Sequence, residues 1–301
     1  MNIELQEINE KLLTDSSAFV TETDNAYQSR LHEIADDIAL HREERPIILL
    51  SGPSGSGKTT TAQMIEKILD EQGIETHTLS LDNYFSPFSP EERELYDAGK
   101  LDLESPKRVD SAFLTEQLNA IEEGRPVELP IYDFKESARV MSGQILQRKP
   151  GELVILEGIH SLNPDVIRIP DETTAKIYVS VRTRITANGE TLHPSKIRLM
   201  RRMVRDRLFR KRTLSDTLMM FRSVEEGENK YIMPYKYRST YDVDTFMAYE
   251  ICAYRDFLLE DLRSMSDEPE LNDASAFLAD AKALSLDVLP DTSLIREFVG
   301  H

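Results

Sequence analysis

A glycine-rich turn lies early in the chain, between a strongly apolar run and a helical repeat. Residues 52–59 read G-P-S-G-S-G-K-T and match the pattern G-x-x-x-x-G-K-[ST]. In such a turn the glycines let consecutive backbone N–H groups converge on phosphate oxygens, at the positive end of the following helix. Lys58 can then reach the β- and γ-phosphates, and the Thr59 hydroxyl can ligate Mg²⁺. The turn therefore predicts a P-loop that binds a nucleoside triphosphate, and MgATP before any other.

The segments on either side of this turn favour a P-loop over a chance glycine turn. Residues 46–51 form a short apolar run that is typical of a buried parallel strand, and residues 58–72 carry a helical apolar repeat. The residues predicted to bind the nucleotide are Gly52, Ser54, Gly55, Ser56, Gly57, Lys58, Thr59 and Thr60.

Further strands and helices alternate along the chain. Strands are predicted at residues 76–81, 153–156 and 175–181, and a helix is predicted at 110–123. Such alternation implies a parallel sheet that is covered by helices on both faces. The expected fold class is therefore α/β, a P-loop NTPase fold.

The composition narrows the class of protein. Charged residues make up 30% of the chain and the net charge is −18, which makes a nucleic-acid partner or an anionic membrane surface unlikely for the molecule as a whole. The single cysteine, Cys252, excludes an internal disulfide and a multi-cysteine zinc site. No apolar run approaches the length of a membrane span, and the N-terminus lacks the features of a signal peptide. We therefore expect a cytoplasmic protein.

Two acidic residues follow predicted strands. Asp82 follows the strand at 76–81, and a carboxylate there, facing the γ-phosphate, could accept the proton of an acceptor hydroxyl. The alternative is a turn aspartate in front of Asn83. Glu157 follows the strand at 153–156, where an acid can hold Mg²⁺ directly or through water, unless it is a solvated loop acid.

A basic segment near residue 200 allows three interpretations. Between Lys196 and Arg212 there are nine Lys or Arg residues and a single acid, Asp206. The segment is a nucleic-acid patch, a solvated charged face, or a lid that closes over the triphosphate and stabilises the migrating phosphoryl group. In an acidic chain with a P-loop we favour a helical lid at about residues 195–224.

Two motifs that would identify other classes of P-loop protein are absent from the sequence: the guanine motif N-K-x-D of GTPases and the signature of transport ATPases. Their absence favours a small-molecule kinase.

These motifs, taken in order, resemble the uridine kinase and phosphoribulokinase family of P-loop kinases. Within the family the chain looks most like bacterial uridine kinase-like proteins that are often fused to a TGS segment, which is absent here. The resemblance runs from about residue 27 to the C-terminus. It rests on the P-loop and on the segments LDNYF at 81–85, ESP at 104–106, PIYDF at 130–134, LEGI at 156–159, RRMVRD at 201–206 and GENKYI at 227–232.

The resemblance implies roles for individual residues. Asp82 would be the catalytic base, beside Lys58, and Glu104 falls where the family carries an aspartate that holds ribose hydroxyls. The lid arginines would be Arg202, Arg205 and Arg210. The substrate-binding residues would be Tyr84, Glu104, Tyr132, Phe134, Ser137, Arg139 and Arg212. Mg²⁺ would be held by Thr59 and Glu157.

The resemblance also implies a division of the chain. Residues 1–45 would be a helical N-terminal extension, residues 46–264 the kinase domain, and residues 265–301 a C-terminal extension that packs on it. Apolar residues at helical spacing, Tyr27, Leu31, Ile34 and Ile38, predict the helix of the first part.

Three departures from the family leave the acceptor open. Ser137 stands where uridine kinases read the pyrimidine with a histidine, Met220 aligns with a glutamine near the sugar, and residues 182–194 are an insertion. The preferred prediction is a kinase of a nucleoside-like hydroxyl for which plain uridine is not the best acceptor. The alternatives are a kinase of a sugar or sugar phosphate, and a non-catalytic P-loop protein that binds RNA or a partner. A homo-oligomer is left open.

Overall fold

A computed structural model describes residues 1–300. The strands are β1 (Asn2–Glu4), β2 (Ile47–Ser51), β3 (Thr76–Ser80), β4 (Val127–Asp133), β5 (Ala138–Leu146), β6 (Leu153–Glu157), β7 (Thr174–Ser180), β8 (Arg184–Ala187), β9 (Glu190–Leu192) and β10 (Tyr241–Asp244). The α-helices are α1 (Leu5–Leu40), α2 (Lys58–Glu71), α3 (Pro90–Asp97), α4 (Ser111–Glu122), α5 (Pro194–Arg210), α6 (Leu214–Gly227), α7 (Glu250–Ser264), α8 (Asn272–Asp280) and α9 (Arg296–Val299).

A five-stranded parallel sheet forms the centre of the molecule. Its strand order is β10-β7-β2-β6-β3, so the strand before the P-loop lies in the middle. Every residue of β2 and β7 is buried, and β2 accordingly reads as an almost continuous apolar run. The predicted α/β fold with a parallel sheet is confirmed. The edge strand β10 was not predicted, because its sequence YDVD is only four residues long and lacks the continuous apolar run of β2 and β6.

Alternate residues of the central strand point into two separate cores. Ile48 and Leu50 of β2 join the larger core, which also contains buried residues of α1, α2, α5, α7 and α8. Ile47 and Leu49 join the smaller core, which α4 covers with Leu114 and Leu118. The period of two along the strand therefore places helices on both faces of the sheet.

The N-terminal residues are joined to the predicted insertion. Helix α1 is interrupted at Asp15, which adopts an extended conformation, so residues 5–40 form two helical pieces. Strand β1 pairs in parallel with β8, and β8 forms a hairpin with β9, both within the insertion at residues 182–194. Ile185 and Leu192 of this hairpin are completely buried. The terminal segments contribute to the same core as the sheet, while the domain boundaries themselves stay a prediction.

The basic segment consists of two helices rather than one. Lys211 adopts a left-handed conformation with φ of +54° and ends α5, and Thr213 starts α6 with a capping box to Asp216. The first half of α5 is buried against neighbouring helices, and Arg198, Arg201 and Arg202 are each at most 5% exposed. Within residues 1–300 no helix is long and apolar enough to cross a membrane.

A buried ion pair ties α5 to α7. Arg201 and Glu250 both have completely buried side chains, and two hydrogen bonds of 2.7 and 3.0 Å join them. Arg201 also donates to the carbonyl oxygens of Thr245 at 2.6 Å and of Gly55 at 3.2 Å. Removing one partner of such a pair leaves an uncompensated charge in the core.

We predict that Glu250→Gln lowers the free energy of unfolding by about 3–5 kcal/mol, because Arg201 loses its counter-charge without gaining access to water. Urea unfolding followed by circular dichroism measures the change. The matched control is Glu268→Gln, which breaks an exposed ion pair with Arg222 and should change stability far less. Equal losses in the two variants would contradict this account of the core.

Candidate active site

The P-loop of this chain requires glycine at three positions. Gly55 and Gly57 adopt φ angles of +75° and +85°, which residues with side chains rarely adopt. A Cβ atom on Gly52 would lie 2.0 Å from the carbonyl oxygen of Val179 in β7. The loop can therefore pass this close to the neighbouring strand only because residue 52 has no side chain.

Side chains from α5 and from the loop after β10 donate hydrogen bonds to backbone carbonyl oxygens of the P-loop. Arg198 donates to the Ser54 carbonyl at 3.2 Å, and Arg201 donates to the Gly55 carbonyl at 3.2 Å. The Thr245 hydroxyl donates to the Ser56 carbonyl at 2.7 Å. These oxygens would repel a phosphate, and here each is engaged by a protein donor.

Two buried polar atoms beside the loop lack a hydrogen-bond partner among residues 1–300. They are the Oγ of Ser56 and the Nε of Arg202. Arg202 is 4% exposed, and its guanidinium also donates to the Ser54 hydroxyl. Burial, together with the nearby Arg205, lowers the pKa of Arg202 to about 10. Since an unpaired buried donor is costly, these atoms fit an anion bound in the loop.

Acidic residues converge on Lys58 from three segments of the chain. The Lys58 Nζ lies 3.7 Å from Glu157 Oε1 at the end of β6, and the Thr59 hydroxyl lies 3.5 Å from Glu157 Oε2. Asp82 lies in the turn directly after β3, and Lys58 attracts its charge as well. Burial raises the pKa of both acids, and Lys58 opposes this shift. The structure thus brings together the two strand-end acids that the sequence singled out.

Glu104 belongs to the same electrostatic group. Burial raises the pKa of Glu104 to about 7, although Arg202 and Lys58 favour its charged form. A Cβ atom on Gly227 would lie 2.3 Å from the Cβ of Glu104, so a glycine at the end of α6 leaves room for this side chain. The backbone oxygen of Glu104 lies 2.9 Å from Nε2 of His160. Burial lowers the pKa of His160 to about 4, which keeps this imidazole neutral at pH 7.

The protein contributes few ligands for a cation at this site. No group of three or more His, Cys, Asp or Glu side chains within residues 1–300 is arranged to hold a metal ion. Mg²⁺ is commonly bound by one or two protein groups, by water and by substrate phosphates. Thr59 and Glu157 offer one hydroxyl and one carboxylate here, 3.5 Å apart.

Apart from Arg202, the predicted lid arginines lie around one buried acid. Asp206 is completely buried and lies 3.3 Å from Arg205, 3.2 Å from Arg210 and 3.5 Å from Arg212. Of the predicted lid residues, Arg202 contacts the P-loop, while the other two are held at Asp206. In the sequence Asp206 stands out only as the single acid of a basic segment, and no local pattern indicates that it gathers these arginines.

Aromatic residues line the hairpin beside the site. Tyr132 is buried and Phe134 is 64% exposed, with their ring centroids 5.1 Å apart. Phe85 packs edge-on against Tyr132 at 5.6 Å, and Arg108 donates to the Tyr132 hydroxyl at 3.3 Å. Phe85 and Arg108 were not predicted as site residues, although Phe85 lies within the LDNYF segment.

Three further predicted substrate residues, Tyr84, Arg139 and Ser137, are buried or half-buried within the protein. Tyr84 is 1% exposed in the smaller core, and its hydroxyl donates to Gln117 at 3.0 Å. Arg139 donates to Asp110 at 2.9 Å and lies over the ring of Phe113. Ser137 is buried in the turn of the hairpin with φ of +52°. The first two residues therefore take part in packing around α4.

Comparison with known proteins agrees with this arrangement. Residues 47–245 match the phosphoribulokinase / uridine kinase family. A uridine kinase of Lactobacillus helveticus is 31% identical over 198 residues, which cover 64% of this chain and 83% of the relative. A uridine kinase of Pasteurella multocida is 31% identical over 178 residues, 58% of this chain and 74% of the relative.

The fold recurs in a solved structure. A candidate fructose transport system kinase from Silicibacter sp. TM1040 superimposes with a TM-score of 0.55 at 17% identity, covering 70% of this chain and 98% of that one. This likeness supports the fold, and the family match supports the order of the motifs. The chain belongs to the phosphoribulokinase / uridine kinase family.

Proposed function

We propose that this protein transfers the γ-phosphate of ATP to a hydroxyl group of a small, nucleoside-like acceptor. The observation that carries the proposal is the convergence of Asp82 and Glu157, at the ends of β3 and β6, on Lys58 of the P-loop. Ligands of open α/β sheets bind beyond the carboxyl ends of the strands. Family membership supports a small-molecule kinase.

The P-loop would hold the triphosphate through backbone N–H groups and Lys58. The unpartnered Nε of Arg202 and Oγ of Ser56 would gain partners from it. Thr59 and Glu157 would hold Mg²⁺, which neutralises charge on the transferred group when it is bound. Arg202 already lies at the loop, so it would stabilise the phosphoryl group without a large movement.

Asp82 would act as the general base on the acceptor hydroxyl. Its side chain is half-buried at the end of β3 and is attracted by the Lys58 charge, so it would lie where a γ-phosphate and an acceptor meet. Glu104 would accept hydrogen bonds from further acceptor hydroxyls. Phe85, Tyr132 and Phe134 would contact a ring of the acceptor, which favours a nucleoside-like molecule over a bare sugar.

The RNA-binding alternative receives little support from the basic segment. Arg198, Arg201 and Arg202 are buried and make hydrogen bonds inside the protein. The more exposed Arg207 and Arg210 are paired with Asp261 and Asp206. The sugar or sugar phosphate alternative keeps the same chemistry and differs only in the acceptor.

The proposed function predicts ATP-dependent phosphorylation of a ring-bearing acceptor. We expect kcat/KM to be highest for a nucleoside when pyrimidine nucleosides, purine nucleosides, simple pentoses and sugar phosphates are compared under one set of conditions. We also expect uridine not to lead the panel, because buried Ser137 cannot replace a histidine that hydrogen-bonds a pyrimidine. If a bare sugar or sugar phosphate were the best acceptor, the nucleoside assignment would be refuted but the assignment as a kinase would stand.

Asp82→Asn should abolish most turnover while ATP still binds. The amide keeps the size of the side chain but cannot take up a proton, and loss of a general base costs about 10²- to 10⁴-fold in kcat. Calorimetric titration with MgATP checks that donor affinity stays within about threefold. A variant that turns over at the wild-type rate would show that Asp82 is only a turn residue.

Acceptor binding should depend on pH through Glu104. Its pKa of about 7 lies above the ordinary value, so the side chain is neutral below pH 7 and ionised above it. If the ionised form binds acceptor hydroxyls, KM for the acceptor falls between pH 6 and pH 8. In Glu104→Gln, KM should be higher and nearly constant over the same range.

The same pKa makes a prediction about stability. A carboxyl whose pKa is raised on folding destabilises the fold as the pH rises from its unfolded value through about 7. Glu104→Gln should therefore melt at a higher temperature than wild type at pH 8 and at nearly the same temperature at pH 4. An exposed control, Glu172→Gln, should show no such trend. If the difference in melting temperature between Glu104→Gln and wild type were the same at pH 4 and pH 8, the charge of Glu104 would not be its cause.

A further inference from the structure

A segment near the C-terminus lies against the helix that follows the P-loop. The Thr60 hydroxyl donates to Glu297 Oε2 at 2.6 Å, across 237 residues of sequence. A Cβ atom on Gly57 would lie only 3.0 Å from a methyl group of Leu294. Residues 292–300, which we call the C-terminal wall, lie outside the stretch 47–245 that matches the family. The family match therefore assigns them no role.

The C-terminal wall is fixed in place by several independent contacts. Arg296 donates to the backbone oxygens of Leu286, Leu289 and Gly300 at 3.1, 2.7 and 3.0 Å. The Arg201 guanidinium lies 5.1 Å from the ring of Phe298, which is completely buried. Glu297 is half-buried, and its carboxylate points at the P-loop helix. The wall is thus part of the donor site rather than a loose tail.

Two neighbouring residues of helix α2 contact different acids. Successive residues of an α-helix point about 100° apart. Thr59 contacts Glu157, and the next residue, Thr60, contacts Glu297, whose charge still reaches Glu157. A triphosphate that places its γ-phosphate near Asp82 would then extend its nucleoside towards the C-terminal wall.

A carboxylate at that end matches a sugar better than a phosphate. Glu297, when ionised, only accepts hydrogen bonds, and a phosphate oxygen offers it no proton and repels it. The hydroxyl groups of a ribose are donors of the required kind. We propose that Glu297 is a specificity-determining residue that binds a ribose hydroxyl of the donor nucleotide. The inference rests on the proposed ATP site and assigns recognition of the donor's sugar to the C-terminal wall.

The test compares donors that differ only in the sugar. Calorimetry measures dissociation constants for ATP, 2′-deoxy-ATP, 3′-deoxy-ATP and inorganic tripolyphosphate, each with Mg²⁺, on wild type, Glu297→Ala and Glu297→Gln. We expect wild type to prefer ATP over one deoxy analogue by roughly tenfold, the effect of losing a hydrogen bond to a charged group. In both variants the preference should fall below about threefold, while the affinity for tripolyphosphate stays within about threefold of wild type.

Glu172→Gln is the matched control, because it removes one negative charge from an exposed residue just before β7, at the end of the parallel strands opposite to the P-loop. It should keep the wild-type preference. Equal preference in wild type and both Glu297 variants would overturn the inference. The inference would also be overturned if both Glu297 variants bound ATP and tripolyphosphate more tightly than wild type by the same factor. Glu297 would then only oppose the binding of phosphate groups. Failure of wild type to bind ATP at all would refute the proposed function itself, a distinct outcome.

Discussion

The Arg201–Glu250 pair is the interaction on which the geometry of the site depends. One guanidinium reaches the P-loop carbonyl of Gly55, the backbone after β10 and the first turn of α7. Such a group is expensive to bury, and Glu250 supplies the compensating charge within the same core. Because Arg201 holds the carbonyl side of the loop, the loop is shaped before any ligand arrives. Preorganisation of this kind reduces the cost of binding.

A second constraint is the concentration of acids around a single lysine. Asp82, Glu104 and Glu157 all have raised pKa values because of burial, and Lys58 is the cation that all three share. In a chain of net charge −18, this site would repel an anionic ligand unless cations accompanied it. The buried arginines of α5 and a Mg²⁺ ion that arrives with the nucleotide would provide that balance. Under the proposed function, this site would bind a metal-bound triphosphate better than a free one.

Local patterns were sufficient to predict the central parts of this molecule. The P-loop, the strands around it and the acids Asp82 and Glu157 follow from apolar runs and their ends. The basic segment was harder, because a run of charges does not reveal that Arg201 is buried against Glu250, which lies 49 residues further along the chain. Strand β10 and the contact of Glu297 with Thr60 depend likewise on long-range packing that no local periodicity encodes. The roles of the acceptor residues stay predictions.

The long range of these contacts has a consequence for synthesis of the chain. The P-loop leaves the ribosome first, and the Thr245 hydroxyl that holds Ser56 follows 189 residues later. At 5–20 residues per second, this interval is roughly 10–40 s. During that time the loop's carbonyl groups lack their final donors, and the central sheet lacks its edge strand. A nascent chain of this protein therefore carries the nucleotide-binding motif well before it can bind a nucleotide.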